Sequence, residues 1–257
     1  MRRLLDLAAP LGLLLLLVGA WEAACRLLAV PAFFLPAPSA IWAALVERWP
    51  ILLASAGATM GMAVGALALA SLVACATGLA VGLSSVAERA VRPLAVTLQV
   101  TPVVAIAPLF VIWFGLDHAL RAVVALAAVV SFFPIFSGLL TGLKSADPDL
   151  ERLFDLYGAT PLQRLAKLRL PSAAPFLLEG HKVAAGAAVI GSVVAEWVAG
   201  SGQTQGLAWR ILEAGNRLRT AEMFAALLVL ALLALGLNAA VALLESQALR
   251  RWSGRAR

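Results

Sequence analysis

Apolar residues run along this chain in long unbroken stretches. They show neither the alternation of a half-buried strand nor the one-sided stripe of a helix lying on a soluble core. Six stretches, residues 7–30, 57–83, 93–115, 120–143, 180–200 and 222–246, come near the ~20 residues a helix needs to cross a bilayer. The pattern predicts an all-α membrane protein with six transmembrane helices. A membrane-spanning β-barrel is excluded, because it would need ten-residue segments of alternating polarity. The first stretch opens with Met1-Arg2-Arg3 but stays apolar nearly to Val30, too far for a signal peptide, so it reads as an uncleaved span. After it comes FFLPAPSAIWAALVERWP, residues 33–50. Its prolines predict an extended segment, and Ser39 is placed to cap a short amphipathic helix at the interface. Two parts follow: residues 1–56, the first span with its interfacial segment, and residues 57–257, a five-span core interrupted by a polar loop at 144–182.

That loop is the longest polar interval in the chain. Asp147-Pro148 reads as a helix cap with proline at the first helical position, and Asp149 and Glu151 favour the positive end of the helix dipole. Gly158 supplies the left-handed residue that ends the helix. Thr160-Pro161-Leu162-Gln163 then spells a capping box, so a second helix starts at once. Leu162, Leu165, Ala166 and Leu168 give it an apolar stripe and Arg164, Lys167 and Arg169 a basic one, and Pro171 is expected to stop it. A bilayer alone gives no reason to hold such helices out in water; a partner protein does.

Composition agrees with the pattern: 62% of residues are hydrophobic and 13% charged, with a mean hydropathy of +0.95. A soluble domain of 257 residues could not bury that much apolar surface. The net charge of +6 belongs to residues flanking the spans, so nucleic acid is not the expected partner. With both ends on the cytoplasmic side, that side holds Arg2, Arg3, Arg89, Arg92, Lys144, Arg152, Arg164, Lys167, Arg169, Lys182, Arg250, Arg251, Arg255 and Arg257. The other side holds only Arg26, Arg48, Arg121, Arg210, Arg217 and Arg219. The imbalance predicts an N-in, C-in topology and a cytoplasmic loop at 147–171. Cys25 and Cys75 lie in apolar runs and indicate neither a disulfide framework nor a metal site.

Gly57, Gly61, Gly65, Gly78 and Gly82 repeat at four-residue spacing, which lets a second helix approach closely. Pro102, Pro108 and Pro134 interrupt the third and fourth spans; such breaks are tolerated where neighbours re-satisfy the backbone or the helix borders a translocation path. Glu22 and Arg26 form an i,i+4 pair. Glu196 falls about 24 Å along its span at ~1.5 Å per residue, where it faces either an aqueous cavity or the outer interface. His118 and His181 read as interfacial. Catalytic chemistry is missing. Gly138-Leu-Leu-Thr-Gly142-Leu-Lys144-Ser145 has the wrong spacing for a phosphate loop, and there is no HExxH or GxSxG. No catalytic residue, metal or cofactor is expected. The few intramembrane ionisable groups argue against a self-sufficient secondary carrier, and the lack of a convergent polar site against an enzyme. A path without an engine points to an engine on another subunit.

Gly158, nine intervening residues and Leu168-Arg169-Leu170-Pro171 resemble the EAA motif of permease subunits of binding-protein-dependent ABC importers. The positions that usually read Glu-Ala-Ala are here Arg152-Leu153-Phe154, with Glu151 one place early. FFLPAPSAIWAAL (33–45), TPVVAIAPLFVIWFG (101–115) and VVAEWVAG (193–200) are similar to the nitrate, sulfonate and taurine branch. AGNRLRTAEMFAALLVLALLAL (214–235) resembles permeases for thiamine pyrimidine precursors of the hydroxymethylpyrimidine type. The resemblance implies the type I, MetI-like permease fold in the bacterial inner membrane. It also implies a dimer of cytoplasmic ATPase subunits that binds the ATP, a periplasmic or lipid-anchored solute-binding protein, and a second permease copy. It assigns ATPase coupling to Glu151, Asp155, Gly158, Ala159, Thr160, Gln163, Arg164, Lys167, Leu170 and Pro171. Pro102, Pro108, Pro134 and Glu196 are expected along the translocation path.

Overall fold

The computed structural model describes residues 2–199 and 204–253, with the side chains of 2–11, 85, 116 and 251–253 left aside. Arg2, Arg3, Arg251, Arg255 and Arg257, which weigh in the orientation, lie outside the described side chains. Eleven α-helices account for almost all of the described residues, and no strand occurs among them: α1 (Arg2–Leu27), α2 (Pro38–Glu47), α3 (Trp49–Gly82), α4 (Ser85–Val100), α5 (Val103–Phe114), α6 (Ala119–Leu143), α7 (Pro148–Leu156), α8 (Pro161–Arg164), α9 (Leu170–Ala199), α10 (Leu207–Asn216) and α11 (Thr220–Ser253). Among the described residues, four helical stretches are long and apolar enough to cross a membrane: Trp49–Gly82, Ala119–Leu143, Pro161–Ala199 and Thr220–Arg250.

The expected third span, 93–115, is not one straight helix. It is the bent pair α4 and α5, turned by 98°. Thr101 closes α4 and Pro102 opens α5, both with extended backbone. Proline disfavours a helical conformation in the residue before it, so the interruption expected at Pro102 is a full turn of the chain and not a kink within one span. Counting the pair as one span gives five among the described residues.

Contacts divide the chain into two units, Met1–Gly57 with Gln205–Ala231 and Ala58–Thr204 with Leu232–Arg257. In the first, Glu22 of α1 takes the Ser39 N–H at 2.9 Å, the Ser39 hydroxyl at 2.7 Å and Arg26 Nε at 2.6 Å. Ser39 therefore does not cap α2 with its own hydroxyl, as expected; the preceding Ala37 is the N-cap residue and a carboxylate from α1 serves the free N–H. Trp21 and Phe224 pack with ring centroids 6.0 Å apart.

In the second unit α6 and α9 touch backbone to backbone. A Cβ added to Gly138 would stand 2.6 Å from the Phe176 carbonyl oxygen, and one on Gly180 would stand 2.6 Å from that of Pro134. Gly142 and Gly191 meet Ala173 and Ala127 in the same way. The close packing expected along α3 is confined to Gly78 and Gly82, which lie against Leu139 and Leu143. Gly65 has only ordinary contact with Val124, and a Cβ on Gly57 or Gly61 would meet nothing within 4 Å. Small-residue spacing permits close approach, but a partner helix must lie on that face for it to occur. Met62, Ala107, Val123, Leu126 and Ala195 form one buried core, and Leu139, Leu143, Leu165 and Ala173 another.

His181 of α9 bonds Ser71 of α3 at 2.9 Å and the Leu177 carbonyl at 2.8 Å, so it tethers two spans. Gly180→Val would force α6 and α9 apart; overpacking of this kind costs about 1–3 kcal/mol. The denaturation midpoint of the purified protein should fall for Gly180→Val and stay unchanged for Gly61→Ala. An unaltered Gly180→Val would show that the helices can separate freely.

Candidate functional site

The polar loop folds as its capping chemistry dictates. Asp147 Oδ1 accepts the Asp149 N–H at 2.8 Å, and α7 begins with Pro148. Gly158 has φ +62°, a left-handed conformation that costs an ordinary residue ~1–2 kcal/mol. Around it, Gly158 N–H reaches the Asp155 carbonyl and Ala159 N–H the Phe154 carbonyl, both at 3.0 Å. This Schellman pair terminates α7. The capping box is complete: the Gln163 N–H meets Thr160 Oγ1 at 3.3 Å and the Thr160 N–H meets Gln163 Oε1 at 2.9 Å.

Pro171 does not stop the second helix. The chain stays helical from Pro161 to Ala199, passing through a π-turn at Leu165–Arg169 into α9. There the Leu170 N–H bonds the Leu165 carbonyl, five residues back. The wider turn relieves the clash between a proline ring and the carbonyl four residues earlier, so Pro171, which has no N–H to donate, is carried without ending the helix. The loop is thereby one continuous helical path with a membrane span.

Charged groups brace α7 against that path. Glu151 Oε1 accepts from Arg169 Nε at 2.6 Å, and Glu151 Oε2 lies 3.3 Å from Arg164, which also pairs with Asp155. Arg164, read from sequence as part of a basic stripe, is thus paired within the loop. Lys167 makes no ion pair among the described residues and lines a groove with Leu150, Pro171 and Leu249. Leu156 (87% exposed), Tyr157 (81%) and Leu162 (72%) project outward from the loop. A second ionic group, absent from the sequence reading, stands beside this one: buried Glu88 of α4 bonds Lys144 at 2.9 Å and Arg92 at 3.0 Å. Glu88, Lys144, Glu151 and Arg169 line the same hollow of about 500 Å³. Only the i,i+4 spacing of Glu88 and Arg92 could have announced it.

The expected path residues are not brought together. Pro102 forms the α4–α5 bend and Pro108 lies within α5. Pro134 lines a cleft of about 390 Å³ between α4, α6 and α9, together with Gln99, Ser137, Thr141 and Glu179, which the sequence reading did not single out. Ser137 and Thr141, four residues apart on one helix face, were the missed signal. Glu196 is only 2% exposed and accepts the Thr204 hydroxyl at 2.7 Å, so its side chain is withdrawn from open water.

In the other unit, Arg48, Arg210, Arg217 and Arg219 surround a cavity of about 150 Å³ with Glu213 and Glu222. Each carboxylate bridges two guanidinium groups: Glu213 with Arg210 at 3.0 Å and Arg217 at 3.1 Å, Glu222 with Arg48 at 3.1 Å and Arg219 at 3.4 Å. Four cations against two anions leave an excess of positive charge. No cluster of side chains able to hold a metal occurs among the described residues.

Residues 66–252 match the family described as binding-protein-dependent transport system inner membrane component. The chain is 32% identical over 247 residues to the formylaminopyrimidine transport permease protein ThiX of Halalkalibacterium halodurans, covering 96% of each chain. It is 35% identical to the riboflavin transport system permease protein RibX of Chloroflexus aurantiacus, covering 96% of this chain and 90% of that one. Its fold is similar to a solved structure, the "Crystal structure of an amino acid ABC transporter with histidines". That likeness has a TM-score of 0.64 and 17% identity, and covers 80% of this chain and 96% of that one.

Glu151→Gln leaves Arg164 and Arg169 short of a counter-charge. The brace is partly exposed, so its loss should cost about 1 kcal/mol. Hydrogen exchange should speed up several-fold in α7 and not in α6. Equal acceleration in both helices would mean that Glu151 holds the whole fold and not this loop.

Proposed function

The chain belongs to the inner membrane components of binding-protein-dependent transport systems, the multi-pass permease subunits of ABC importers, and from that premise we propose that α7 and α8 dock in the cytoplasmic ATPase and drive the span α9. The carrying observation is the unbroken helix from Pro161 to Ala199, with exposed Leu156, Tyr157 and Leu162 beside it. Apolar side chains held in water by capped helices fit a partner groove, and a helix continuous with a span transmits displacement without a hinge. Glu151, Asp155 and Arg164 stiffen the segment; Gly158 and Ala159 form its turn, Thr160 and Gln163 its cap, and Leu170 and Pro171 the junction with α9. Lys167, which makes no ion pair among the described residues, meets an acidic group of the ATPase.

The working unit is two permease copies, each of six spans in N-in, C-in orientation, on two ATPase subunits that hold the ATP. In that orientation the cluster around Arg48 and Arg210 faces outward, and its excess positive charge suits acidic groups of a solute-binding protein. The solute is a thiamine pyrimidine precursor, ahead of nitrate, sulfonates or taurine. The motif at 214–235 and the relatives named for formylaminopyrimidine and riboflavin, both above 30% identity, support that order.

Co-purification with the neighbouring ATPase, followed by hydrolysis assays in proteoliposomes, tests the whole reading. Hydrolysis stimulated by loaded binding protein is expected; a permease that purifies alone and transports without ATP would establish a secondary carrier instead. Gly158→Val should strain the turn and uncouple the system, cutting uptake at least tenfold while insertion and expression persist; full uptake would remove the turn from the coupling route. Lys167→Glu should weaken ATPase docking about tenfold, and an affinity indifferent to that reversal would assign Lys167 to lipid headgroups.

A further inference from the structure

Serine and threonine inside helices of this chain mostly give their hydroxyls to a carbonyl one turn back. Ser71, Thr77, Thr97, Ser131 and Ser172 all donate to the residue four positions earlier. Ser137 and Thr141 do not, and neither their side chains nor that of Gln99 hydrogen-bond to any described residue. All three line the cleft between α4, α6 and α9, where Glu179 and the rings of Phe133 and Phe176 join them. Gly138 and Gly180 belong to the same lining, at the point where α6 and α9 meet without a side chain between them. Free hydroxyls and an amide gathered from separate helices would be costly against hydrocarbon and make sense against a polar ligand. A cleft of about 390 Å³ lies in the range that holds small molecules.

We propose that this cleft is where the transported solute touches the chain, and that it accepts a flat, uncharged heterocycle bearing N–H donors and rejects anions. The inference rests on the permease reading and deepens it by naming a contact site and a solute class. Phe133 and Phe176 offer apolar faces to a flat ring. Ser137, Thr141 and Gln99 can each accept from an N–H or donate to a ring nitrogen. Glu179 is an acceptor, and its charge sets the class. Its ion-pair partner among the described residues is Lys182, at 3.3 Å, and Lys182 also stands 3.9 Å from Glu245. Two carboxylates thus share one ammonium, and no arginine lines the cleft. A sulfonate or nitrate entering here would meet excess negative charge and find no free cation.

The test uses proteoliposomes carrying the permease, its ATPase and its solute-binding protein, with solute uptake and ATP hydrolysis measured together. Radiolabelled formylaminopyrimidine and riboflavin are the heterocyclic probes, and taurine and nitrate the anions. The parent should carry at least one heterocycle and neither anion. The Ser137→Ala, Thr141→Val double variant and Glu179→Gln should each lower solute moved per ATP at least fivefold, with stimulated hydrolysis kept within twofold. Ser131→Ala, whose hydroxyl is already bonded to the Ala127 carbonyl, should match the parent. Unchanged stoichiometry in both variants overturns the proposal. So does a parallel loss of uptake and hydrolysis, which would mark the cleft as a packing contact within the assembly, and so does carriage of either anion or of neither heterocycle. Absence of any stimulated hydrolysis in the parent overturns the permease reading itself, and the site with it.

Discussion

The direct backbone contact between α6 and α9 is the constraint on which the rest of the second unit depends. Gly138 and Gly180 each face a carbonyl of the opposite helix, so the two helices meet too closely for a Cβ at either position. In a bilayer this proximity replaces the hydrophobic drive that holds soluble helices together, because lipid is as apolar as the side chains it would displace. With the pair locked, the polar segment preceding α9 inherits a fixed direction, and the cleft beside the same glycines has a rigid wall.

From that contact the mechanical logic follows. The π-turn at Leu165–Arg169 admits Pro171 without breaking the helix, so α8 and α9 form one helical path. Glu151 ties α7 to Arg169 at the root of the span, and Glu88 ties α4 to Lys144 at the entry to the loop. These ion pairs are partly exposed and individually weak. Their value lies in geometry: each joins the loop or its flank to a different helix, so the segment is tied at more than one point. Proline recurs where the chain turns or widens, at Pro102 and at Pro171, and in both places the cause is local backbone chemistry.

The two charged assemblies differ in kind. Around the loop, acids and bases are matched closely. Around Arg48 and Arg210, positive charge is left over; in the cleft by Glu179, negative charge is. Uncompensated charge at a concave surface is a statement about what can approach it, and the opposite signs imply unlike visitors at the two places.

The sequence by itself determined the class, the helical runs and the loop. Long apolar stretches allow only helices in lipid, since every backbone group must be satisfied within its own segment. The caps at Asp147, Gly158 and Thr160 were legible because capping is local chemistry between residues two to five apart. What escaped was everything that depends on which helix lies opposite. Gly57 and Gly61 carry the same spacing as Gly78 and Gly82, yet only the latter pair meets a neighbour within the chain. Ser39 looked like a cap until α1 brought Glu22 to its N–H. Arg164 looked like part of a basic stripe until α7 folded back on it, and Pro171 looked like a terminator until a π-turn made room. Glu88 with Lys144, and Ser137 with Gln99 and Glu179, are tens of residues apart in the chain. A periodic pattern states which face a residue occupies; only the folded packing decides what that face meets.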